Sequence, residues 1–305
     1  MGPTASGKTD LAFHLCDQFP FEIVSVDSVL VYAGMDIGTA KPTKAEQARY
    51  PHHLVDIEDA KNPFSVATFC DLALIAIEAI HQKNKIPLLV GGTMLYFRAL
   101  MEGLSSLPAK DDAVREKIAK MAEAGGWSAV HDELKKVDPV TAARLHPNDS
   151  QRLQRALEVY LITQKTLTSF HTSCYKSVEK PFSFNVLQLA LLPQNRALLH
   201  ARIEQRFHQM MVLGLLDEVH ILFNRGDLTE DLPAIRSVGY RQAWQYLQGI
   251  TTEKEMIEKG IAATRQLAKR QITWLRGWSN LVSFDCFDAQ LKEKVVQSVE
   301  TFLAS

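Results

Sequence analysis

The apolar positions in the first hundred residues form two kinds of pattern. Short, continuous runs rich in Val, Ile and Leu, at Phe21 to Asp27 and Ile86 to Thr93, predict buried strands. Apolar residues at helical spacing predict helices over 10–19 and 67–83. A strand, a helix and a strand in this order predict a parallel sheet, in which ligands bind at the carboxyl ends of the strands. Asp27 and Thr93 occupy those ends.

The rest of the chain carries mostly helical patterns. Residues 110–170 show helical spacing that is broken at Gly125-Gly126, Asp138-Pro139 and Pro147-Asn148, which predicts a helical insertion or cap. A strand is predicted over Phe184 to Pro193, and a last one over Asn280 to Cys286. Further helices are predicted over 195–213, 215–225, 237–248, 253–259 and 260–276.

Length and composition fit a globular protein with one large α/β domain and an insertion, or with two modest domains. The 305 residues are 46% hydrophobic and 23% charged, and the formal net charge is −1. A neutral total argues against a basic coat but permits a local basic face. The expected regions are a core over 1–108, a helical insertion that caps the core over 109–180, and a return to the core with basic helices over 181–305.

Cysteine usage and hydropathy bear on the compartment. The cysteines are far apart and form no CxxC pair, so neither a zinc site nor a disulfide framework is predicted. They fit a reducing cytosol, and no apolar run approaches the length of a membrane span. We expect a cytoplasmic, monomeric protein with no membrane partner. The cysteines are Cys16, Cys70, Cys174 and Cys286.

The opening residues match the phosphate-binding pattern G-x-x-x-x-G-K-[ST]. Gly2 and Gly7 would let backbone N–H groups approach phosphate oxygens, and the following helix would point its positive end at the same anion. Lys8 adds a positive charge, and Thr9 can bind Mg²⁺. A glycine-rich loop without a ligand is the alternative. The usual ATPase or GTPase companions are incomplete, because no NKxD guanine motif is present and the later strand ends in Gly-Gly-Thr without an acid.

Two polar pairs follow, and the sequence leaves their roles open. Asp27 and Ser28 lie where reacting groups are expected, and the carboxylate could bind Mg²⁺ through water or accept a proton from a nucleophile. Both residue types also favour helix N-caps. The adjacent His52 and His53 point apart on a strand, which favours structural or hydrogen-bonding roles over metal binding.

Three basic segments are candidates for phosphate contacts. Arg152 and Arg155 share one face of a helix, as do Arg202 and Arg206. Solvated faces and surface salt bridges are the alternatives to phosphate binding. Residues 260–281 contain no acid but hold four basic residues and two tryptophans, which suits nucleic-acid binding. A helix packed by its tryptophans, or a membrane-surface or calmodulin-binding helix, is the alternative.

Taken in order, several segments resemble the bacterial tRNA dimethylallyltransferases, also called tRNA isopentenyltransferases. These segments cover nearly the whole chain and read GPTASGKT, DSVLVYAGMDIGTAKP, HHLVDI, LLVGGTMLYF, NDSQRLQRALEVY, RIEQRFHQM, RSVGYRQAW and ATRQLAKRQITWLRGW. A phosphate loop alone is shared by many enzymes, whereas this ordered set is specific. The motif and the resemblance together predict a P-loop NTPase-like α/β fold, with a parallel sheet flanked by helices and a mostly helical insertion.

The resemblance implies transfer of a dimethylallyl group from dimethylallyl diphosphate to the exocyclic N6 of an adenine in tRNA. The adenine would lie just 3′ of the anticodon in tRNAs that read codons beginning with U, so the tRNA anticodon stem-loop is the expected partner. Asp27 would be the general base on the adenine amine, and Thr93 would contact the substrate adenosine. Lys8, together with Mg²⁺ on Thr9, would stabilise the leaving diphosphate.

The resemblance also implies two sets of binding residues. The diphosphate would be held by the loop and one arginine, namely Gly2, Pro3, Thr4, Ala5, Ser6, Gly7, Lys8, Thr9 and Arg206. The tRNA would be contacted from several segments, namely by Asp27, Ser28, Val29, Leu30, Thr93, Arg115, Gln151, Arg152, Leu153, Gln154, Arg155, Arg236, Ser237, Val238, Gly239, Tyr240, Arg241, Lys269, Arg270, Gln271, Ile272, Thr273, Trp274, Leu275 and Arg276. A P-loop kinase of a small metabolite or nucleoside, and a non-catalytic RNA-binding module, are the competing hypotheses.

The sequence departs from the family pattern at its first residue. Family members have an apolar strand before the first glycine, whereas this sequence starts at Met1. That strand would be a middle member of the sheet and an anchor for the loop. We expect the sheet to lack its first strand, and the chain as written to fold poorly or to bind diphosphate weakly. Restored upstream coding sequence is expected to raise thermal stability and activity.

Overall fold

The computed structural model describes residues 1–103, 107–174 and 184–305, with only the backbone described for 171–174. These residues form two compact units. One unit comprises Met1–Leu100 and Phe184–Ser305, and the other comprises Met101–Ser183. The expected helical insertion, 109–180, falls within the second unit, and its end at 180 lies outside the described residues.

The described residues form thirteen helices and five strands. The strands are β1 Phe21–Val26, β2 His52–His53, β3 Ile86–Gly91, β4 Leu189–Leu192 and β5 Val282–Asp285. The helices are α1 Lys8–Cys16, α2 Lys44–Arg49, α3 Val66–Gln82, α4 Met94–Glu102, α5 Asp112–Val137, α6 Pro139–Arg144, α7 Ser150–Thr163, α8 Leu167–Cys174, α9 Arg196–Val212, α10 Leu215–Phe223, α11 Tyr240–Leu247, α12 Glu253–Arg276 and α13 Leu291–Leu303. Among these, no helix is both long and apolar enough to cross a membrane.

The parallel sheet predicted from the apolar runs is confirmed. Strand β1 lies between β2 and β3, and both neighbours run parallel to it. Val26 pairs with Gly91, so β1 and β3 end at the same edge of the sheet. The parallel strands and their flanking helices are the predicted α/β architecture. Strand β2 was not predicted, because two residues are too few to give a periodic pattern.

A second parallel sheet is formed by β4 and β5. The N-terminal amine of Met1 donates to Leu189 O at 2.7 Å, and Met1 O accepts from Leu191 N at 2.9 Å. Residues 1–7 contain no strand, and the five described strands are divided between the two sheets. Gly2 lies beside β4, since a Cβ on Gly2 would lie 3.1 Å from Leu191 O.

Helix α1 is held on the β4–β5 sheet by a hydrophobic cluster. Leu11 and Leu15 of α1 are buried in one cluster with Leu191 of β4, and with Val295 and Val299 of α13. Burial of each such side chain contributes about 1.5–3 kcal/mol. This packing fixes the start of α1, and therefore the loop before it, against the sheet.

Helix α12 corrects one prediction. The sequence predicted two helices that meet at Gly260, whereas one helix runs through that position. A Cβ at Gly260 would lie 2.2 Å from Phe207 Cζ, so glycine allows α9 and α12 to approach closely. The prediction was wrong because the glycine serves a long-range contact rather than a helix end.

The second unit has its own helical core. Ile118, Val130 and Leu134 of α5 pack with Leu153 and Leu157 of α7 in one buried cluster. Helix α5 is interrupted at Gly126, where φ is 72° and ψ is 174°. The predicted break at this glycine is therefore confirmed, because L side chains rarely adopt this backbone conformation.

Candidate active site

The opening loop wraps the start of α1. Gly7 precedes α1 with φ 82°, a left-handed conformation that suits glycine. Helix α1 begins at Lys8, so the positive end of its dipole faces the loop. Lys8 Nζ donates to Pro3 O at 2.7 Å, which folds the side chain back over the loop. This is the geometry expected of a loop that binds an anion at a helix N-terminus.

A cavity of about 200 Å³ opens beside this loop in the first unit. Its walls come from the loop and α1, from the ends of β1 and β3, and from the helices α9, α11 and α12. The predicted site residues on these walls are Thr4, Ala5, Lys8, Thr9, Asp27, Val29, Leu30, Arg206, Ser237, Val238, Gly239, Tyr240 and Gln271. The cavity therefore brings together groups from loops, strands and helices that are far apart in the sequence.

Two cations share this cavity with one carboxylate. Burial lowers the pKa of Lys8 to about 8, with Asp27 acting to raise it and Arg206 to lower it further. Burial likewise lowers the pKa of Arg206, and Asp27 again acts against the shift. Arg206 also donates to Thr39 O at 3.3 Å. The cavity thus carries an excess of positive charge, which an anion would neutralise.

Asp27 and Thr93 lie at adjacent strand ends, as predicted. Asp27 Oδ1 accepts hydrogen bonds from Val29 N at 2.9 Å and Leu30 N at 3.3 Å. Thr93 Oγ1 accepts from Ser28 N at 3.1 Å, so both side chains fix the turn after β1. Among the described residues no hydrogen bond holds Asp27 Oδ2, which leaves that oxygen as a proton acceptor.

The N-cap alternative for Asp27 is only partly realised. The carboxylate does accept backbone N–H groups, but the next helix, α2, begins only at Lys44. Asp27 therefore closes a turn on the cavity wall rather than starting a helix. On β2, His52 and His53 both make hydrogen bonds, between His52 Nδ1 and Tyr50 O at 2.5 Å and between His53 Nε2 and Glu22 at 3.0 Å.

Gln271 holds two walls of the cavity together. Its Oε1 accepts from Thr4 N at 2.8 Å, and its Nε2 donates to Gly92 O at 2.9 Å. The side chain of α12 thus joins the opening loop to the end of β3. The resemblance to the family implies that Gln271 is a tRNA contact, and nothing in the local sequence pattern predicts this bridge.

Ser25 is a cavity residue that was not predicted from the sequence. It lies on β1 two residues before Asp27, is 3% exposed, and lines the cavity. Its Oγ has no hydrogen-bond partner among the described residues. A buried hydroxyl without a partner is uncommon, and one that faces a cavity is a candidate for ligand binding. The alternation within β1 places Ser25 on the same face as Asp27, which is the only pattern that could have found it.

The predicted RNA contacts on α12 alternate with core residues. Ile272 and Leu275 are buried, so their side chains pack inside the protein. The exposed residues of the same segment are Lys269, Arg270, Thr273, Trp274 and Arg276. Helix α12 therefore presents one basic face that includes a tryptophan.

The predicted tRNA-binding segment 236–241 also contains both exposed and buried residues. Arg236 and Arg241 are exposed, whereas Tyr240 is fully buried. The Tyr240 hydroxyl donates to Glu218 at 2.5 Å, and burial and Glu218 raise its pKa. The aromatic side chain of Tyr240 therefore packs within the protein at the cavity wall.

In the second unit, two predicted RNA-binding arginines flank a buried carboxylate. Glu158 is fully buried and accepts from Arg115 Nε and from Arg155, each at 2.7 Å. Arg155 also donates to Pro108 O at 2.7 Å. Residues 150–157 contain no acid, and the acidic partner, Glu158, is the very next residue. These two guanidinium groups thus stabilise the unit internally.

The other members of that helix differ in exposure. Leu153 is buried in the core of the unit, which gives its side chain a packing role. Gln151 and Arg152 are exposed, and Gln154 is partly buried. Arg152 contacts Asp149 at 3.4 Å, in the solvated arrangement that was one alternative for this helix.

The fold and the cavity define an α/β protein with an excess of cations at the carboxyl ends of parallel strands. The model of the IPP transferase family matches residues 30–278. The chain belongs to this family and is therefore a transferase enzyme. The predicted enzyme class is thus confirmed.

Three solved structures are similar over nearly the whole chain. A full-length tRNA isopentenylpyrophosphate transferase from Bacillus halodurans is 37% identical, covers 99% of this chain and 93% of its own, and has a TM-score of 0.70. A tRNA delta(2)-isopentenylpyrophosphate transferase from Staphylococcus epidermidis is 31% identical, covers 99% and 97%, and has a TM-score of 0.69. A eukaryotic dimethylallyltransferase acting on tRNA is 25% identical, covers 99% and 78%, and has a TM-score of 0.80.

Proposed function

We propose that this enzyme transfers a dimethylallyl group from dimethylallyl diphosphate to the exocyclic N6 of an adenine in tRNA. The observation that carries the proposal is the cavity in which Lys8 and Arg206 face one carboxylate, beside the N-terminus of α1. Such a site suits a diphosphate, because the charge that develops on the leaving group is stabilised by cations and N–H groups already in place. Membership of the IPP transferase family supports this choice of donor.

We assign the steps of the reaction to residues that line the cavity and to Thr93 beside it. The adenine amine attacks C1 of the dimethylallyl group while the C1–O bond breaks and the diphosphate leaves with the bonding electron pair. Lys8 and Arg206 bind the departing oxygens. Asp27 Oδ2 accepts the proton that the amine loses as the C–N bond forms, since Oδ1 is already held by Val29 and Leu30. Thr93, fixed beside Ser28, would contact the adenosine.

The residues present also fit a Mg²⁺ ion. Thr9 in the first turn of α1 and the hydroxyl of Ser25, which has no partner among the described residues, both line the cavity. Oxygen atoms are the donors that Mg²⁺ prefers, and the ion usually keeps several waters and a substrate phosphate. When bound, the ion would add positive charge at the diphosphate. Thr9 would hold it, and Ser25 would accept or donate a hydrogen bond in its water shell.

The tRNA substrate rests on the family and on the exposed basic residues. We propose that the target adenine lies 3′ of the anticodon, in tRNAs reading codons that begin with U, and that the enzyme acts as a cytoplasmic monomer on the anticodon stem-loop. The adenine must leave its stack to reach the cavity, at a cost of a few kcal/mol. The exposed face of α12, with Lys269, Arg270 and Trp274, offers charge and stacking that would offset this cost.

One assay tests the proposal against the competing hypotheses. Unmodified tRNA, Mg²⁺ and labelled dimethylallyl diphosphate are incubated with the enzyme, beside a parallel reaction with ATP. We expect label in the tRNA, with a loss of at least about 100-fold in Asp27→Ala and Lys8→Ala. ATP turnover without label transfer would instead identify a kinase, and RNA binding that is indifferent to Lys8→Ala would identify a non-catalytic module.

The position of the modified base needs a separate readout. Nuclease digestion of the labelled tRNA and mass spectrometry of the fragments locate the modified adenine. We expect it 3′ of the anticodon, and label at another adenine would contradict this part of the proposal. A tRNA with a different base at that position is the matched control.

A further inference from the structure

A carboxylate behind the cavity wall holds the loop that forms part of that wall. Glu218, in the first turn of α10, accepts backbone hydrogen bonds from Asp36 N and Ile37 N at 2.7 Å each, and from Gly38 N at 3.1 Å. Three successive N–H groups converging on one anion form a backbone anion site. Here the anion is part of the protein itself.

The loop is clamped from a second side by Tyr240. The Tyr240 hydroxyl donates to Glu218 Oε1 at 2.5 Å, and its ring packs on Gly38, where a Cβ would lie 2.6 Å from Tyr240 Cε2. Glu218 therefore has four hydrogen bonds, three from the loop and one from α11. Such a carboxylate is well ordered, because each oxygen is fixed by two donors.

The held loop leads directly to the candidate diphosphate clamp. Gly38, Thr39 and Ala40 line the cavity, whereas Glu218 does not. The next carbonyl along the loop, that of Thr39, accepts from the Arg206 guanidinium at 3.3 Å. The position of this guanidinium therefore depends on a loop whose own position is set by Glu218.

We propose that Glu218 is a positioning residue that acts through residues 36–39 to hold Arg206 and the cavity wall in place for the diphosphate. This inference rests on the proposed function of the cavity as a diphosphate site. Glu218 touches no reacting atom and acts only through the loop. Its loss should weaken donor binding more than the chemical step, because Asp27 and Thr93 are held by the turn after β1, on separate contacts.

The test compares Glu218→Gln with Asp217→Asn in the full chain. Asp217 lies in the same first turn of α10, and no hydrogen bond of its side chain is found in the part of the chain that the structure describes. In Glu218→Gln we expect amide hydrogen exchange at residues 36–38 to accelerate by about tenfold or more, since the three N–H groups lose a charged acceptor. The Kd for inorganic pyrophosphate and the KM for dimethylallyl diphosphate should rise about tenfold, with kcat changed less than about threefold.

A second variant covers the case in which Glu218→Gln does not fold. Tyr240→Phe keeps the carboxylate and all three loop bonds and removes only the bond from the hydroxyl. We expect a smaller change of the same kind, with faster exchange at 36–38 and weaker pyrophosphate binding. Asp217→Asn should match the wild type in every readout.

The outcomes separate the two proposals. Unchanged exchange at 36–38, or faster exchange with unchanged pyrophosphate affinity, overturns the positioning role of Glu218. A fall in kcat with no rise in KM also overturns it. If the wild type itself binds no pyrophosphate, the proposed diphosphate site is overturned, and the exchange measurement alone then decides whether Glu218 holds the loop.

Discussion

Burial beside the cavity changes the pKa of Lys8. Burial lowers its pKa to about 8, although Asp27 lies close enough to act against the shift. The free enzyme therefore carries most of this charge at pH 7 and loses it as the pH rises through about 8. A bound anion favours the protonated form, so anion binding above pH 8 must bring a proton with it.

This predicts a pH-dependent affinity. Between pH 7 and pH 9, loss of the proton from Lys8 should raise the Kd for inorganic pyrophosphate by about tenfold. Calorimetric titration across this range measures it, with Lys8→Met as the baseline for the titration of the ligand itself. The same pH dependence in both proteins would show that Lys8 does not provide the charge.

Gly38 gives a second prediction at this scale. A Cβ at this position would lie 2.6 Å from the Tyr240 ring and 2.9 Å from Leu215 Cδ1, and Tyr240 is fully buried and cannot move aside freely. Gly38→Ala should lower the free energy of unfolding by roughly 1–3 kcal/mol through overpacking. Urea denaturation measures this, and Gly34→Ala is not a suitable control because Gly34 has φ 75°.

A better control removes the Tyr240 ring that the new methyl group would contact. In Gly38→Ala with Tyr240→Leu, the smaller side chain should accept the new methyl group, so the two changes should cost less together than the sum of each alone. Strictly additive costs would show that the ring does not require glycine at this position.

At the scale of elements, a buried carboxylate ties the sheet to the end of α3. Glu22 on β1 contacts His53 on β2, Lys83 at the end of α3, and Lys85 before β3, all within 3.0 Å. Burial alone would raise the pKa of Glu22. Hydrogen bonds from His53, Lys85 and Lys83 outweigh burial and lower it to about 2.

The sign of this shift predicts how stability depends on pH. Because the folded pKa of Glu22 lies below the unfolded value, its contribution is present above about pH 4.5 and is lost as the pH falls toward 2. We expect wild type to lose roughly 1–3 kcal/mol more than Glu22→Gln over this range. Denaturation at a series of pH values checks this, and parallel pH profiles for the two proteins would contradict it.

The elements also show why part of the fold could be predicted and part could not. The strands β1 and β3 follow from continuous apolar runs, because a buried parallel strand needs apolar residues on both faces. The break predicted at Gly260 failed, because the glycine is needed for the contact of α12 with Phe207, which lies far away in the sequence. Local patterns report local conformation, and they do not report which distant side chain a glycine must admit.

The residues of the candidate site could also be predicted only in part. The loop, Asp27 and Arg206 could be named from motifs and from the resemblance, and the structure brings them to one cavity. Glu218 was not named, and Gln271 was named only as a tRNA contact, because the structural roles of both depend on backbone groups of distant segments that no spacing rule connects to them. Side chains that hold the backbone of a site without lying in a motif cannot be recognised from the local sequence pattern.

At the scale of the whole molecule, the helical unit depends on an ionic core as well as an apolar one. Glu158 is fully buried between Arg115 and Arg155, whose side chains are each about one third exposed. Glu158→Gln removes the charge that both arginines face, and should cost this unit roughly 2–4 kcal/mol. Hydrogen exchange should accelerate in α5 and α7 and stay unchanged in α9 and α12, which belong to the other unit.

A surface carboxylate of the same unit provides the control. Glu133 pairs with Lys136 three residues along α5, and the side chains are 38% and 70% exposed, respectively. Glu133→Gln should change stability by less than about 0.5 kcal/mol. Equal losses of unfolding free energy in the two variants would mean that the buried ion pairs of Glu158 stabilise the unit no more than a surface pair does.

The bridge formed by Gln271 fixes the rotational phase of α12. One residue inserted within this helix turns everything after it by about 100°. If the insertion precedes Gln271, this turn would swing Gln271 away from Thr4 N and Gly92 O, and would place its polar side chain where the buried Ile272 packs. The close contact of Gly260 with Phe207 and the hydrogen bonds of Gln271 require a fixed number of residues between these two positions. Among homologous sequences, insertions and deletions should therefore occur at the ends of α12 and be rare between Gly260 and Gln271.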